Sequence, residues 1–175
     1  MARISYAGTS ILFTGDLGRP TDFIMKPPEP ATPSDYLVVE STYGDRLHAE
    51  GDVLQALADV VNRTCKRRGV LVVPSFAVAR AQALLYLIYR LKKARRIPDV
   101  PVYLNSPMAI NVNRIYRKYR REHRLDDTEC AGMCEVAQMV NSVEESKRLN
   151  QLKEPAIIVA ASGMATGGRV VHHIK

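Results

Sequence analysis

The stretch VLVVPSFAVARAQALLYLIYRLKKARR, residues 70–96, decides the fold. Its opening residues, Val70, Leu71, Val72 and Val73, are apolar without alternation. A strand of that kind needs cover on both faces, as in a parallel sheet. Pro74, Ser75 and Phe76 interrupt the run, and the spacing from Ala77 onward predicts a long helix over 77–96. Strand followed by helix is half of a βαβ unit.

The same alternation continues outward. Downstream, strands are predicted over 100–105, 134–140 and 155–161. A helix over 106–124 opens with Ser106 as N-cap and Pro107 at its first position. Another over 142–152 opens with Ser142, and Glu145 follows three residues on as in a capping box. A last helix starts within 166–175. Upstream, YLVVE (36–40) reads as a buried strand. The stretch 47–69 reads as a helix, with Val53, Leu54, Leu57, Val60 and Val61 on its apolar side and Gly69 closing it. Two short strands, 4–6 and 10–13, flank a turn, and the Pro-rich segment 26–35 must be a connection. The expected fold is α/β: a Rossmann-like, mostly parallel sheet with helices on both faces, preceded by a short strand pair.

The length of 175 residues fits one domain or one and a half. No apolar stretch approaches the ~20 residues that span a bilayer. Residues 1–10 lack the apolar segment of a signal peptide, and the reading is cytoplasmic. Cys65, Cys130 and Cys134 are odd in number and without CxxC spacing, which suits reduced structural thiols. The histidines at 48, 123, 172 and 173 show no closed zinc pattern; His172 and His173 are adjacent and point in different directions on a helix. Net charge is +7, and residues 90–124 hold eleven Lys or Arg against Asp99 and Glu122 alone. That field favours a polyanion, most simply nucleic acid; the plain alternative is a solvated helix surface.

In parallel α/β sheets, ligands collect beyond the carboxyl ends of the strands. The residues there are Thr14-Gly15-Asp16, Glu40-Ser41-Thr42, Pro74-Ser75-Phe76, Asn105-Ser106-Pro107 and Ala161-Ser162-Gly163. Ser75 is either a helix cap or, with the N–H groups after it and Arg80, a phosphate seat. SGMATGGR (162–169) follows a strand but fits neither GxGxxG nor GxxxxGK[ST]. Asp16 and Glu40 are two carboxylates at strand ends, and like charges there call for a cation or a shared proton.

Read in order, FTGDLGRP (13–20), VVESTYGDRLH (38–48), VVPSFAVARAQALLYLI (72–88), LNSPMA (104–109), NSVEESKRLN (141–150) and PAIIVAASGMATGGRVVHH (155–173) resemble the beta-CASP metallo-β-lactamase nucleases. The resemblance covers essentially the whole chain. It implies a two-zinc phosphodiesterase in which a beta-CASP lobe is inserted into a lactamase lobe, with RNA in the cleft between them. Residues 1–33 would be a lactamase flank and linker, and 34–175 a beta-CASP domain truncated before the later lactamase motifs. By the resemblance, Asp16 falls on the metal-bridging aspartate and Glu40 on the acidic residue beside the metal. Both are candidate catalytic residues. Ser75, Arg80, Ser106, Ser162 and Gly163 fall on loops suited to the RNA backbone.

The departures shape the expectation. The HxHxDH motif and the later histidine motifs are absent, Asn105 stands where many relatives have Asp, and Ala79 where many have Gly. The chain is therefore expected to be a fragment of a zinc-dependent RNA-processing nuclease, inactive alone and without bound zinc. Its implied partners are RNA, the missing lactamase lobe and, in the full-length parent, a second copy. The alternative is a non-catalytic scaffold that binds nucleic acid or a protein partner. A Rossmann-like nucleotide enzyme fits the fold but lacks both phosphate fingerprints.

Overall fold

The computed structural model describes residues 1–47 and 51–174. His48 lies outside the described residues. The chain divides into two compact units, Met1–Glu50 and Gly51–Lys175.

In the first unit β1 (Ala2–Tyr6) and β2 (Thr9–Phe13) form an antiparallel hairpin. Its two turn residues, Ala7 and Gly8, have φ of 46° and 81°, the left-handed pair that suits a two-residue hairpin turn. The expected strand pair is in fact a sheet of three, because β3 (Tyr36–Val38) runs parallel beside β2, with Ile11 opposite Tyr36 and Phe13 opposite Val38. The predicted burial of this strand does not hold: all three of its residues are exposed. β3, read from the sequence as the start of the second domain, hydrogen-bonds within this first sheet. Asp35, just before β3, accepts hydrogen bonds from the Ser10 N–H at 2.7 Å and the Ser10 hydroxyl at 2.8 Å.

The second unit holds a four-stranded parallel sheet in the order β4 (Val70–Pro74), β7 (Ala156–Ala160), β5 (Val102–Asn105), β6 (Gln138–Met139). The central strand β7 is buried along its whole length, the position its unbroken apolar run requires. Alternate residues sort the two faces. Val70, Val72, Ile158, Ala160 and Tyr103 pack with Val140, Leu149 and Val170. Helix α2 (Arg80–Lys93) packs against α4 (Asp127–Glu135) and α3 (Pro107–Lys118), burying Leu85, Ile88, Ile110 and Met133.

Local signals account for most of the helix ends. Helix α1 (Val53–Lys66) begins at Asp52, whose carboxylate accepts from the N–H groups of Leu54 and Gln55. At its other end Arg68, rather than the expected Gly69, takes the left-handed conformation, at φ 56°. The predicted caps at Ser106 and at Ser142 with Glu145 are present, the latter opening α5 (Val143–Leu149). The predicted strand over 134–140 shrinks to Gln138–Met139, because α4 occupies residues through Glu135. That helix opens with its own capping box, Asp126 and Glu129. It carries Gly132 where a Cβ would lie 2.2 Å from the Tyr89 ring, so the glycine lets α4 lie against α2. The chain ends with the short helix α6 (Val171–Ile174).

Candidate functional site

Two sets of loop residues carry the polar chemistry, one in each unit. In the first unit, β2 and β3 are parallel neighbours, so the loops that follow them leave the same edge. The Thr14 N–H donates to the Val38 carbonyl at 3.0 Å, and the Glu40 N–H donates to the Thr14 hydroxyl at 3.3 Å. Glu40 Oε1 accepts from the Leu17 N–H at 3.0 Å and Oε2 from the Thr42 N–H at 3.3 Å. The Leu17 bond first, then those from Thr42, hold the Glu40 carboxyl below its ordinary value and keep it ionised. Oε1 thus fixes the loop that carries Asp16, and Oε2 closes the turn of Glu40's own loop. Asp16 itself is exposed and follows Gly15, whose φ of 58° is left-handed. It borders an open cavity of about 290 Å³ together with Arg3, Thr14 and Leu17.

The second set lies at the carboxyl edge of the four-stranded sheet. Ser75 is buried; its N–H donates to the Ala160 carbonyl at 2.9 Å and its hydroxyl to the Phe76 carbonyl at 3.0 Å. It does not cap α2. The N-cap position falls to Ala79, at φ 61°, which supplies no side-chain acceptor. Backbone carbonyls stand in for the cap: the Arg80 N–H donates to that of Val78 at 2.7 Å and the Ala81 N–H to that of Phe76 at 3.2 Å, and the exposed Arg80 side chain holds the first position. Ser106, also buried, accepts from the Ala109 N–H at 3.3 Å and serves α3 as its cap. Ser162 accepts from the Met164 N–H at 3.4 Å. Gly163 lies on the Phe76 ring: a Cβ there would come within 2.7 Å of it, so the glycine lets the loops after β4 and β7 touch.

A third group escaped the sequence reading. Asn105, fully buried, accepts from Arg169 Nη1 at 2.7 Å. The same guanidinium donates to the carbonyls of Val140 at 3.2 Å and Asn141 at 2.9 Å, so Arg169 ties the loops after β5, β6 and β7 together. Arginine only donates, so it fixes the Asn105 amide with Oδ1 toward Arg169 and Nδ2 toward Ser146 and His173, each at 2.7 Å. His173 Nε2 must then accept, and its Nδ1–H donates to Asn150 Oδ1 at 2.6 Å. Burial, then the neighbouring charges of His172 and Arg169, push His173 below the ordinary imidazole value and keep it neutral. An open cavity of about 570 Å³ lies here, lined by Ser146, Lys147, Asn150, Arg169, His172 and His173 among others. The sequence signals for this group were Asn105 at the end of its strand and the arginine that closes SGMATGGR, with nothing to connect the two.

Zinc takes four donors in a closed site, or three and a water in an open one. Among the described residues no group of three or more His, Cys, Asp or Glu side chains gathers to hold a metal ion. Asp16 and Glu40 do not make a zinc site by themselves, and the oxygens of Glu40 already accept backbone N–H groups. Cys130 and Cys134 are buried and Cys65 partly so, all as free thiols. Among the described residues no helix is long and apolar enough to cross a membrane.

The Beta-Casp domain family matches residues 81–175. Ribonuclease TTHA0252 of Thermus thermophilus is 33% identical over 96% of this chain and 40% of its own length. The RNase J-like protein of Methanocaldococcus jannaschii is 30% identical over 96% of this chain and 40% of its own. Transcription termination factor FttA of the same organism is 31% identical over 95% of this chain and 28% of its own. The chain therefore spans less than half the length of these curated relatives.

Proposed function

Because the chain belongs to the Beta-Casp domain family, we propose that it is the RNA-binding part of a metal-dependent nuclease that processes RNA, with the carboxyl edge of its parallel sheet forming one wall of the RNA groove. The observation that carries this reading is the N-terminus of α2. Arg80 stands exposed at its first position, and the Gly163 loop lies on Phe76, whose carbonyl takes the Ala81 N–H of the same turn. An exposed guanidinium at the positive end of a helix suits a phosphate oxygen of the backbone. Ser162 and Gly163 line the path of that strand. Ser75 and Ser106, both buried, hold the loops from behind.

Asp16 is proposed as one carboxylate ligand of the metal centre, and Glu40 as the residue that positions its loop. The other ligands come from outside this chain. The names of the relatives support RNA as substrate; the cytoplasm as the site of action and a homodimer of the whole protein are part of the same proposal.

The test uses the protein expressed from its complete coding sequence. Asp16→Asn is expected to lower hydrolysis of a labelled RNA by about 100-fold or more with RNA binding retained. Arg80→Gln is expected to weaken RNA binding. Unchanged hydrolysis in Asp16→Asn would overturn the ligand assignment. RNA binding without any metal-dependent hydrolysis by the unsubstituted protein would favour the scaffold reading instead.

A further inference from the structure

In the second unit the helices run back against the strands, so α2 carries its C-terminus to the amino edge of the sheet, about 20 Å from Arg80 at 1.5 Å per residue. There the residues after it meet α1. The Asn62 amide donates to the Arg96 carbonyl at 3.0 Å, and the Arg96 guanidinium donates to Gln55 Oε1 at 2.6 Å. The Asn62 contact brings two basic runs near each other, Arg63, Lys66 and Arg67 from one and Lys93, Arg95 and Arg96 from the other, all exposed, while the Arg96 guanidinium itself turns to Gln55 in the first turn of α1. The carboxylates in ion pairs at this corner are few. Asp99 takes Lys92 at 2.7 Å and Glu154 takes Arg68 at 3.0 Å. Asp59 accepts a hydrogen bond from Gln55.

Helix dipoles explain part of this charge. Arg63, Lys66 and Lys93 sit in last turns, where a cation is favoured. Arg67, Arg95 and Arg96 lie beyond the helices, where that effect falls away. Arg68 and Arg95 moreover hold left-handed backbone, φ 56° and 54°, which glycine would adopt with less strain. Of the two, Arg68 pairs with Glu154, and Arg95 is exposed at the corner.

We propose that this corner is a second RNA-binding surface, gripping backbone phosphates of a strand at the end of the unit opposite the carboxyl-edge loops. The inference rests on the RNA reading above and adds a separate place of contact. A lipid surface fits less well. Binding to a bilayer needs an apolar face beside the cations. Here Leu91 and Ile97 are buried, and the exposed large apolar side chains lie elsewhere.

The experiment titrates the 175-residue chain with a labelled single-stranded oligouridylate of about 20 nucleotides, at several salt concentrations between 50 and 200 mM. Each neutralised phosphate of a single strand contributes about 0.7 to the slope of log K against log salt. The quadruple variant Arg63→Gln, Lys66→Gln, Arg67→Gln, Arg95→Gln is expected to lower that slope by about three and to weaken binding at 50 mM salt by about tenfold or more. The triple variant Arg63→Lys, Arg67→Lys, Arg95→Lys is expected to bind as the parent does. Circular dichroism checks that both variants are folded.

Parental affinity and slope in the quadruple variant would overturn the proposal. So would loss of binding in the charge-conserving variant, no RNA binding by the parent chain at 50 mM salt, or sedimentation with phosphatidylserine vesicles in place of RNA. If Arg80→Gln alone abolishes binding, the corner is refuted and the groove at the carboxyl edge stands. The hydrolysis test above reads the nuclease assignment independently of all these outcomes.

Discussion

The two ends of the parallel sheet use arginine in opposite ways. At the carboxyl edge Arg169 is fixed by Asn105 and by the carbonyls of Val140 and Asn141, and its charge serves to hold three loops in register. At the amino edge Arg63, Arg67 and Arg95 are exposed at the mouths of two helices. One end relies on directed hydrogen bonds in a buried site, where each lost partner leaves a polar group unsatisfied. The other relies on summed field, which is tolerant of geometry and sensitive to salt. Substitutions at the first end should therefore disturb stability, and those at the second should disturb binding.

The largest stability loss is expected at Asn105. Asn105→Ala removes the acceptor of Arg169 and the donor to Ser146 and His173 in a fully buried position. A loss of about 3 kcal/mol is expected, read by urea denaturation. A loss below about 1 kcal/mol would mean that this network is not what orders the carboxyl-edge loops. Next comes Gly168, at φ 76°, where an added Cβ would meet the Ser162 nitrogen at 2.8 Å and the Ala161 carbonyl oxygen at 3.0 Å. Those atoms are backbone and cannot swing aside, so Gly168→Ala is expected to cost about 2 kcal/mol. Gly163→Ala, whose nearest contacts are atoms of the exposed Phe76 ring, should cost less, because that side chain can turn away.

A smaller effect is expected from pH. His173 sits below its ordinary value in the folded chain, so unfolding takes up a proton under mildly acid conditions. The stability it contributes is complete above about pH 6.5 and is lost as pH falls from there through the folded value. Thermal melts between about pH 7 and 5 should show this decline, and His173→Gln should flatten it. Asn105→Asp should reverse the sign. A carboxylate facing Nε2 would favour the imidazolium and raise the folded value, so the histidine would then stabilise at lower pH.

How much of this was legible in the sequence depended on the range of the interaction. The parallel sheet was legible, because β4 and β7 are apolar on both faces. The caps at Ser106 and Ser142 were legible because each is settled within four residues. Helix α4 was missed because Gly132 and the lack of apolar periodicity hid it, although Asp126 and Glu129 carried a capping signal. For Ser75 the sequence does not choose between cap and phosphate seat. The turn after β4 is long enough that Ala79 takes the N-cap position, and no local rule fixes that length. The role of Arg169 was not legible at all. Its partners lie 29, 28 and 64 residues away, and only the strand order β7-β5-β6 brings them together. The separation of the basic run from the loops follows from that topology too, since each helix returns to the other edge.

The smallest expected stability change sharpens the contrast most. The quadruple variant Arg63→Gln, Lys66→Gln, Arg67→Gln, Arg95→Gln removes four positive charges from exposed positions. Arg63 and Lys66 each give up a favourable interaction with the α1 terminus of about 0.3 kcal/mol or slightly more. Against that, removing like charges from a chain of net charge +7 relieves repulsion. The two effects oppose each other, and the net change in urea stability is expected to stay within about 0.5 kcal/mol. A loss above about 2 kcal/mol, comparable to that at Gly168, would mean that the amino edge is built of directed contacts like the carboxyl edge. Its cations would then belong to the fold. A near-zero change with a reduced salt slope would assign them to a partner.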